Sequence, residues 1–401
     1  MSLLSVAEAL SRILDGVAPT PAEVVEIEAA HGRVLAQPLS ARLTQPPFDA
    51  SAMDGYALRV ADLGELPATL EVVGEAAAGH PFSGRVGPGQ AVRILTGAPV
   101  PSGADIVVIQ EDVERIGSKL TIRTGDIDRS NIRHRGFDFT AGAALLGSGR
   151  RLGPREVSLA AAMGYGQVSV RRRPRLKVLS TGDELVAPGE TPAASQIVSS
   201  NHLGVVAMAE AAGAEVEFLG IARDLPDSLA AHFEKAGEPD VLVTIGGASV
   251  GDHDLVAPVL KAKGMALTFW KIAMRPGKPL MFGRLGPTRI LGLPGNPVSA
   301  LVCARLFVVP LVRALIGHAA PDATPTTART AVPLEANGAR EHYMRATARR
   351  GEDGLALITP VRSQDSSLLS PLAEADCLVI RPPEAPVVPA GGLVSILPLD
   401  F

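Results

Sequence analysis

The stretch Val241–Asp254, which reads VLVTIGGASVGDHD, decides the fold and supplies the first candidate site. Its opening residues are apolar and largely β-branched, which predicts a strand buried on both faces. Gly246 and Gly247 carry no Cβ, so the backbone there can turn and approach a ligand closely. Asp252 and Asp254 then place two carboxylates just beyond the turn. Taken alone, the stretch equally fits an ordinary strand-to-helix turn with a solvated acidic cap.

The composition of the 401-residue chain excludes several classes of protein. Charged residues make up 20%, with 38 Lys+Arg against 42 Asp+Glu, so no basic field predicts a nucleic-acid partner or an anionic membrane. Aromatic residues make up 3%, which disfavours platforms for base stacking. A chain of this length predicts about two to four domains, each able to bury its own core.

The cysteines and the termini indicate the compartment. Cys303 and Cys377 lie in apolar runs and are expected to be buried free thiols of a reducing compartment. The N-terminal segment is amphipathic and contains acids, unlike a signal peptide. The most apolar segment, Ser299–Gly317, is interrupted by two arginines and a proline, so we expect it not to span a membrane. The sequence therefore predicts a cytoplasmic protein.

The outer parts of the chain mix helices with short strands. An amphipathic pattern predicts a helix over residues 5–15, and Pro21 predicts the start of a second helix that ends near Ala30. From Ala57 to Leu146, short β-branched runs broken by glycine and proline predict a separate β-rich domain. The C-terminal segment has similar short strands, which predict a small barrel or sandwich.

Residues 176–317 alternate between strands and helices, which predicts a mostly parallel sheet covered on both faces. One helix is predicted at about 201–212, and a second begins at Pro226. A further, long apolar helix is predicted to be kinked near Pro310. Ligands of such sheets bind beyond the carboxyl ends of the strands. Polar motifs occupy those ends, namely Thr181–Glu184, Arg223-Asp224, Gly246–Asp254 and Pro294–Pro297. Their convergence favours a functional site over a series of plain turns.

The acidic members of this rim predict a divalent cation. Glu184, Asp224, Asp252 and Asp254 would place several carboxylates close together, and like charges at such a distance need a counter-charge. A hard cation with oxygen ligands meets that need. Mg²⁺ fits best, because it binds one or two carboxylates together with substrate phosphates.

A cationic segment complements the acidic rim. Lys271–Pro279, KIAMRPGKP, brings Lys271, Arg275 and Lys278 close together around a proline and a glycine that bend the backbone. Fixed cations beside a carboxylate-bound metal can bind and polarise phosphate or a similar tetrahedral oxyanion. The sequence shows no Ser-His or Cys-His pairing, and its scattered histidines do not favour zinc chemistry.

Long motifs in this chain resemble the molybdopterin molybdenumtransferase family, which includes the C-terminal part of gephyrin. They are PPFDASAMDGYA (46–57), RILTGAPVPSGAD (93–105), STGDEL (180–185), GGASVGDHD (246–254), KIAMRPGKP (271–279) and GLPGNPVSA (292–300). The resemblance covers almost the whole chain in the right order. Arg275 departs from it, since many relatives have a lysine there, and so does Ala248, where valine is common.

The resemblance implies an elongated multi-domain α/β and β protein. Its expected parts are a linker domain (1–45 and 147–175), a β-rich domain (46–146), a molybdopterin-binding α/β domain with a mostly parallel sheet (176–320) and a C-terminal β-barrel (328–401). The implied reaction inserts molybdate into adenylylated molybdopterin and releases AMP. The family's members are homodimers in which the β-rich domain of one subunit faces the α/β domain of the other. Other proteins of molybdenum cofactor biosynthesis are further implied partners.

The resemblance also assigns roles to individual residues. It implies catalytic roles for Asp54, Thr96, Asp138, Glu184, Asp254 and Lys271, magnesium binding by Glu184, Asp224 and Asp254, and substrate binding by Gly246, Gly247, Ser249, Arg275, Lys278, Pro294, Pro297, Ser299, Arg345 and Ser366. In the last group, the cations, Ser299 and the barrel residues would bind the oxyanion, and the prolines would shape the loop beside it.

Two alternative functions remain open at this point. A molybdopterin adenylyltransferase shares the α/β domain, but it normally stands alone with a Gly-Gly-Thr-Gly turn, where this chain has Gly-Gly-Ala-Ser. A scaffold is the second alternative, because gephyrin-type relatives cluster membrane receptors. The acidic and basic rim residues favour catalysis over scaffolding.

Overall fold

The computed structural model describes residues 3–123, 131–247, 255–320 and 324–399. Its first element is helix α1 (Val6–Leu14), which begins with a capping box between Ser5 and Glu8. The helix buries Val6, Ala9 and Ile13 in the core of the later α/β unit. Its C-terminal carbonyl, that of Asp15, accepts hydrogen bonds from two arginines of that unit. The N-terminal helix therefore packs far from its neighbours in sequence.

Residues 22–171 form two interleaved units made mostly of strands. The elements are β1 (Ala22–Glu26), β2 (Leu39–Ser40), β3 (Ala50–Ser51), β4 (Gly55–Leu58), β5 (Ala68–Ala76), β6 (Gln90–Ile94), β7 (Ile106–Ile109), β8 (Val113–Ile116), β9 (Lys119–Ile122), β10 (Ile132–Arg133), β11 (Ala144–Leu146), α2 (Pro154–Ala162) and β12 (Gln167–Arg171). Single 3₁₀ turns lie at Ile27–Ala29, Val60–Asp62 and Gln110–Asp112.

The helix predicted from Pro21 to Ala30 is wrong. The segment forms β1, which pairs antiparallel with β12, and then the 3₁₀ turn. A proline at the first helical position is permissive rather than decisive. Here the backbone of β12, more than a hundred residues later in the chain, supplies the hydrogen bonds that make the extended form stable. Such a partner cannot be read from local sequence.

The β-rich unit is one sheet with the strand order β7-β4-β6-β5-β9-β8. Its two faces bury separate apolar clusters, one around Leu58 and Leu120 and the other around Val92 and Val107. Two short pairs, β3 with β10 and β2 with β11, lead into and out of this sheet. Asp54 immediately precedes β4, so the sheet positions the turn that the sequence singled out.

The α/β unit follows. Its elements are β13 (Arg175–Thr181), β14 (Leu185–Val186), β15 (Ile197–Val198), α3 (Asn201–Ala212), β16 (Glu215–Ala222), α4 (Pro226–Ala236), β17 (Val241–Ile245), α5 (Val256–Ala262), β18 (Ala266–Trp270), β19 (Met274–Arg275), β20 (Met281–Leu285), β21 (Thr288–Leu293), α6 (Pro297–Cys303), a π-helical turn (Ala304–Val308) and α7 (Val309–Leu315).

The central sheet has the order β16-β13-β17-β21-β20-β18. The pairs that involve β13 and β17 are parallel, and β20 pairs antiparallel on both of its sides. All of β17 is buried, as the sequence predicts. One face packs against α1, α3, α6 and α7, and the other packs against α4 and α5. The carboxyl ends of β13, β17 and β21 consequently lie side by side.

The long apolar segment at 297–315 is helical throughout, and its irregularity is the π-helical turn that precedes Pro310. This segment has the length and hydropathy of a membrane span, with a mean hydropathy of 2.0. However, 78% of the window is buried inside the protein, against the sheet and α3. Its apolar side chains are therefore already covered by protein.

The C-terminal unit is a closed barrel. Its elements are β22 (Thr326–Thr330), β23 (Glu341–Arg350), β24 (Ala356–Pro360), α8 (Ser370–Ala373), β25 (Cys377–Arg381) and β26 (Leu393–Pro398). The pairings run β23-β24-β22-β26-β25 and return from β25 to β23. Strand β19 of the α/β unit adds to β23, which joins the two units. The predicted fold class, a multi-domain α/β and β protein with a C-terminal barrel, is confirmed.

Candidate active site

A cavity of about 580 Å³ opens at the carboxyl ends of β13, β17 and β21. Its lining combines six segments of the α/β unit with one residue from the barrel. The lining residues are Ser180, Thr181, Gly182, Glu184, Leu185, Ile197, Val198, Ser199, Ser200, Asn201, Asp224, Ile245, Gly246, Gly247, Pro279, Pro294, Gly295, Asn296, Pro297 and Ser367. In an open α/β sheet, a crevice forms beyond the carboxyl ends of the strands, at the point where the strand order reverses. This cavity lies at such a place.

One side of the cavity is acidic. Glu184 and Asp224 both line it, and Asp183 lies next to them, since its Oδ1 accepts a hydrogen bond of 3.2 Å from the Asp224 N–H. Partial burial raises the pKa of Asp224 above its usual range, and the charges of Asp183 and Glu184 act in the same direction. These carboxylates therefore repel one another, and the site favours a cation beside them.

The described ranges hold no group of three or more His, Cys, Asp or Glu side chains already arranged to bind a metal. Asp254, the third predicted magnesium ligand, lies outside the described residues, as does Ser249. Of the three predicted magnesium ligands, Glu184 and Asp224 are therefore the two that the described residues include, and both line the cavity.

The predicted cations follow β18 and surround β19. Lys271 has a φ of 77°, a left-handed conformation that is costly for a residue with a Cβ. Arg275 ends β19, and Lys278 follows the bend that begins at Pro276. Among the described residues, none of these three side chains has a hydrogen-bond or ion-pair partner. They remain available to bind an anion.

Arg275 also lies beside a buried histidine of the barrel. Burial lowers the pKa of His342 to about 4, and nearby arginines, including Arg275, act in the same direction. His342 lies in β23 directly beside Arg275 in the parallel pairing of the two strands. A neutral histidine adds no charge of its own, so the net field comes from the arginines.

The loop after β21 shapes the opposite wall. Pro294 and Pro297 line the cavity as predicted, and Ser299 lies in the first turns of α6, where it is buried. Ser366 of the barrel reaches this wall: its Oγ accepts a 3.0 Å hydrogen bond from Asn296 Nδ2, and its carbonyl accepts one from the Val298 N–H. The barrel therefore completes the cavity.

Comparisons with known proteins match this chain to family models along most of its length. The family models described as "MoeA N-terminal region (domain I and II)", "Probable molybdopterin binding domain" and "MoeA C-terminal region (domain IV)" match residues 4–164, 177–314 and 327–399. The molybdopterin molybdenumtransferase of Haemophilus influenzae is 36% identical over 407 residues, which cover 99% of each chain. The chain belongs to the molybdopterin molybdenumtransferase family. The resemblance inferred from the motifs is confirmed.

Other members of the family give the same result. The molybdopterin molybdenumtransferase of a Nostoc species is 36% identical over 94% of this chain and 89% of its own. The crystal structure of the molybdopterin biosynthesis moeA protein from Pyrococcus horikoshii is 27% identical, with a TM-score of 0.83, and covers 99% of this chain and 100% of its own. The similarity thus extends over all the units described above.

Three residues that the family resemblance assigns to catalysis lie in the segment 46–146, the predicted β-rich domain. Asp54 Oδ1 accepts hydrogen bonds from the N–H and the Oγ1 of Thr96, at 2.7 and 2.8 Å, and these bonds lower the pKa of Asp54. Asp138 is exposed in the loop after β10. None of the three lines the described cavity. The structure joins Asp54 to Thr96 but leaves both apart from the cavity of their own chain.

Sequence reasoning assigned no individual role to two cavity residues. Thr181 Oγ1 and Asn201 Oδ1 are buried and have no hydrogen-bond partner among the described residues. Asn201 Nδ2 donates to the Gly295 carbonyl at 2.7 Å, which orients the amide and leaves Oδ1 as an open acceptor. An unpaired buried polar atom costs about 1–3 kcal/mol, so a polar ligand would relieve this cost. The motif STGDEL already contained Thr181, but nothing local marked Asn201.

The glycine turn after β17 yields a first prediction. Gly246 has a φ of 93°, and a Cβ there would lie 2.5 Å from the Thr181 carbonyl oxygen. Gly246→Ala should therefore displace the ends of β13 and β17, lower the melting temperature and abolish ligand binding at the cavity. Thermal unfolding and ligand binding would be measured together. Gly220→Ala is the control, because Gly220 also has a positive φ, of 104°, but nothing lies within 4 Å of its added Cβ. Equal binding losses in the two variants would contradict a specific role for the Gly246 turn.

Proposed function

We propose that this protein is a molybdopterin molybdenumtransferase that inserts molybdate into adenylylated molybdopterin and releases AMP. The observation that carries the proposal is the cavity itself, whose lining contains the carboxylates of Glu184 and Asp224 and also Pro279, which directly follows the cation Lys278 in the chain. A substrate with a phosphoanhydride and a second, small oxyanion needs both kinds of group. Family membership over the whole chain supports the same reaction.

We infer that Mg²⁺ binds at the acidic side. Glu184 and Asp224 would hold it, because burial and the neighbouring charges of Asp183 and Glu184 raise the pKa of Asp224 and a divalent cation would stabilise its ionised form. When bound, Mg²⁺ neutralises phosphate oxygens and so eases cleavage of the bond to AMP. The oxygen donors present match the preference of Mg²⁺ for carboxylates and substrate phosphates.

The remaining chemistry is assigned to the protein's own side chains. Lys271, Arg275 and Lys278 would bind the oxyanion and stabilise negative charge on the oxygens around the reacting centre. Thr181 and Asn201 would hydrogen-bond the bound substrate through their open oxygens and hold it in place. The prolines of the wall, Pro294 and Pro297, would keep that loop rigid.

We further propose that the active protein is a homodimer with shared sites. Asp54, Thr96 and Asp138 lie away from the cavity of their own chain, so they would serve the cavity of the partner. Phe48 and Phe137, near these residues in the chain, are large apolar side chains that are 41% and 71% exposed. We assign both to the surface that would face the partner.

We place the protein in the cytoplasm. Cys303 and Cys377 are free thiols, and both are buried. Burial raises the pKa of Cys377 to about 11 and that of Cys303 further still, so neither is a reactive thiolate. Buried, unpaired thiols are consistent with a reducing compartment.

The decisive experiment incubates the purified protein with adenylylated molybdopterin, Mg²⁺ and molybdate and follows AMP release. We expect release that requires all three additions and that is lost when molybdate is omitted. ATP-dependent formation of product from free molybdopterin would instead identify an adenylyltransferase. Binding without any AMP release would favour a scaffold.

The oxyanion assignment predicts the behaviour of Lys278→Ala. Losing one charge-assisted contact costs about 1.5–3 kcal/mol, so the apparent affinity for molybdate should fall about ten- to a hundred-fold. Excess molybdate should restore part of the rate, while the affinity for the adenylylated pterin changes little. Lys261→Ala is the control, because Lys261 lies in the last turn of α5 and is exposed. An unchanged dependence of the rate on molybdate would move the anion site elsewhere.

A further inference from the structure

The loop 361–368 of the barrel forms a wall of a cavity that otherwise belongs to the α/β unit. Ser367 lines the cavity, and the neighbouring Ser366 binds the turn between β21 and α6. The Val298 N–H donates to the Ser366 carbonyl at 3.0 Å. Val298 lies in the first turn of α6, where backbone N–H groups have no partner within the helix. The barrel loop thus supplies an acceptor that the helix itself cannot provide.

Gln364 ties this loop to the barrel by its side-chain amide. Its Oε1 accepts a 2.9 Å hydrogen bond from the Arg345 N–H, and its Nε2 donates to the Arg345 carbonyl at 2.9 Å. A weaker bond of 3.3 Å runs from Nε2 to the Val361 carbonyl. The side chain therefore hydrogen-bonds both backbone groups of one residue in β23, whose carbonyl also accepts a 3.0 Å bond from the Val361 N–H.

Arg345 completes the attachment from inside the barrel. It is 1% exposed, and it is the largest of the fully buried side chains in the described part of the chain. Its Nη1 donates to the Leu368 carbonyl, and its Nη2 donates to the Ser363 and Asp365 carbonyls, at 2.9–3.1 Å. The guanidinium is therefore engaged with the backbone on both sides of Ser366 and Ser367. Its desolvation is compensated by these carbonyl oxygens.

We propose that Gln364 and Arg345 are positioning residues, which act on the substrate through the loop 361–368 that they hold against α6. Their role is to keep Ser366 and Ser367 in place as the cavity wall, so that a ligand finds a preformed site. Displacing such a wall by about 1 Å weakens productive binding even when every contact residue is intact. The kinetic part of this inference rests on the proposed function, whereas its structural part does not.

The structural part is tested by residue-resolved hydrogen exchange on the full-length protein. In Gln364→Leu, the Val298 amide should exchange about tenfold faster, because its acceptor in the barrel loop moves away. The Ala300 amide is the internal reference, since it donates within α6 to the Asn296 carbonyl. Gln364→Glu keeps an acceptor for the Arg345 N–H but loses the donor, so it should show an intermediate increase. This milder variant also serves if Gln364→Leu does not fold.

The kinetic part uses the AMP-release assay on the same variants. We expect KM for adenylylated molybdopterin to rise about three- to tenfold, with kcat changed less and with the molybdate dependence unaltered. Arg345→Lys should behave in the same way, because the single nitrogen of a lysine cannot replace the two guanidinium nitrogens that reach carbonyls on both sides of Ser366 and Ser367. If the wild type showed no turnover, the proposed function would fail, but the hydrogen-exchange result would still test the positioning role. A failure of the proposed function can therefore be told apart from a failure of this inference.

Arg381→Lys is the matched control. Arg381 is also a buried barrel arginine, 4% exposed, whose Nη2 donates to carbonyls of a different loop, among them those of Glu335 and Pro386. Its replacement should destabilise the barrel without changing Val298 exchange or KM. Equal effects of Arg381→Lys and Arg345→Lys would overturn the proposal in favour of general barrel stability. So would unchanged exchange in Gln364→Leu, or loss of molybdate affinity in Arg345→Lys that excess molybdate reverses.

Discussion

Replacing Asp224 with asparagine should abolish AMP release and leave the folded protein at least as stable as the wild type. The carboxylate lines the cavity next to Glu184 and Asp183, where partial burial and their charges disfavour its ionised form. Asparagine removes that unfavourable charge but also the group that would bind Mg²⁺. A loss of about a hundredfold or more in kcat is expected for removing one group that organises charge at the reacting centre.

The raised pKa of Asp224 sets the direction of the expected change in stability and its dependence on pH. The pKa of Asp224 is raised in the native state above its ordinary value of 3.8, so the native state binds the proton more tightly than the unfolded chain. The stability that this group contributes is therefore present below pH 3.8 and is lost as the pH rises through the raised pKa. Asp224→Asn should then gain stability relative to the wild type at neutral pH, and the difference should vanish in acid.

Asp240→Asn is the matched control, and we expect it to lose stability but keep its activity. Asp240 accepts two hydrogen bonds of 3.0 Å from Arg172 Nη2 and one from the Arg175 N–H, at the opposite, N-terminal end of β13. Its replacement should lower the melting temperature and leave kcat near the wild-type value. An Asp224→Asn protein that is active, or one that is inactive only because it unfolds, would contradict the acidic site.

Mixing two inactive variants should restore activity if the sites are shared between subunits. Asp54→Ala removes the partner of Thr96 in the β-rich part, and Asp224→Asn disables the cavity. In a heterodimer of the two, one site combines an intact cavity with an intact β-rich part, and the other site carries both changes. Random exchange at equal amounts makes about half of the dimers heterodimers, so about a quarter of the wild-type activity should return.

The measurement follows AMP release after subunit exchange, with each variant alone as the baseline. Exchange itself is checked with differently tagged subunits. If Asp54 served its own chain's cavity, every site in the mixture would carry one defect and no activity would return. Mixing Asp224→Asn with Gly246→Ala is the negative control, because both changes affect the same cavity and cannot complement each other.

The sequence by itself determined the fold class and the edge of the sheet at which the cavity lies. The buried strand Val241–Ile245 and the glycines after it are a local pattern, since burial on both faces demands continuous apolar residues. Parallel strands bring their carboxyl ends to one rim, so the amino-acid pattern alone suffices to group Glu184, Asp224 and the two prolines of the wall. Their roles in catalysis remain predictions.

Only the tertiary structure decided features that depend on contacts between distant segments. The segment after Pro21 became a strand because β12 pairs with it. The family resemblance assigns Arg345 to oxyanion binding, and only the fold shows that its guanidinium donates to carbonyl oxygens of the loop 361–368. Asn201 Oδ1 is left without a partner because Nδ2 of the same amide donates to the Gly295 carbonyl and so fixes its orientation. Hydrogen bonds and burial of this kind join residues far apart in the chain, whereas local sequence reports only periodicity, turns and charge.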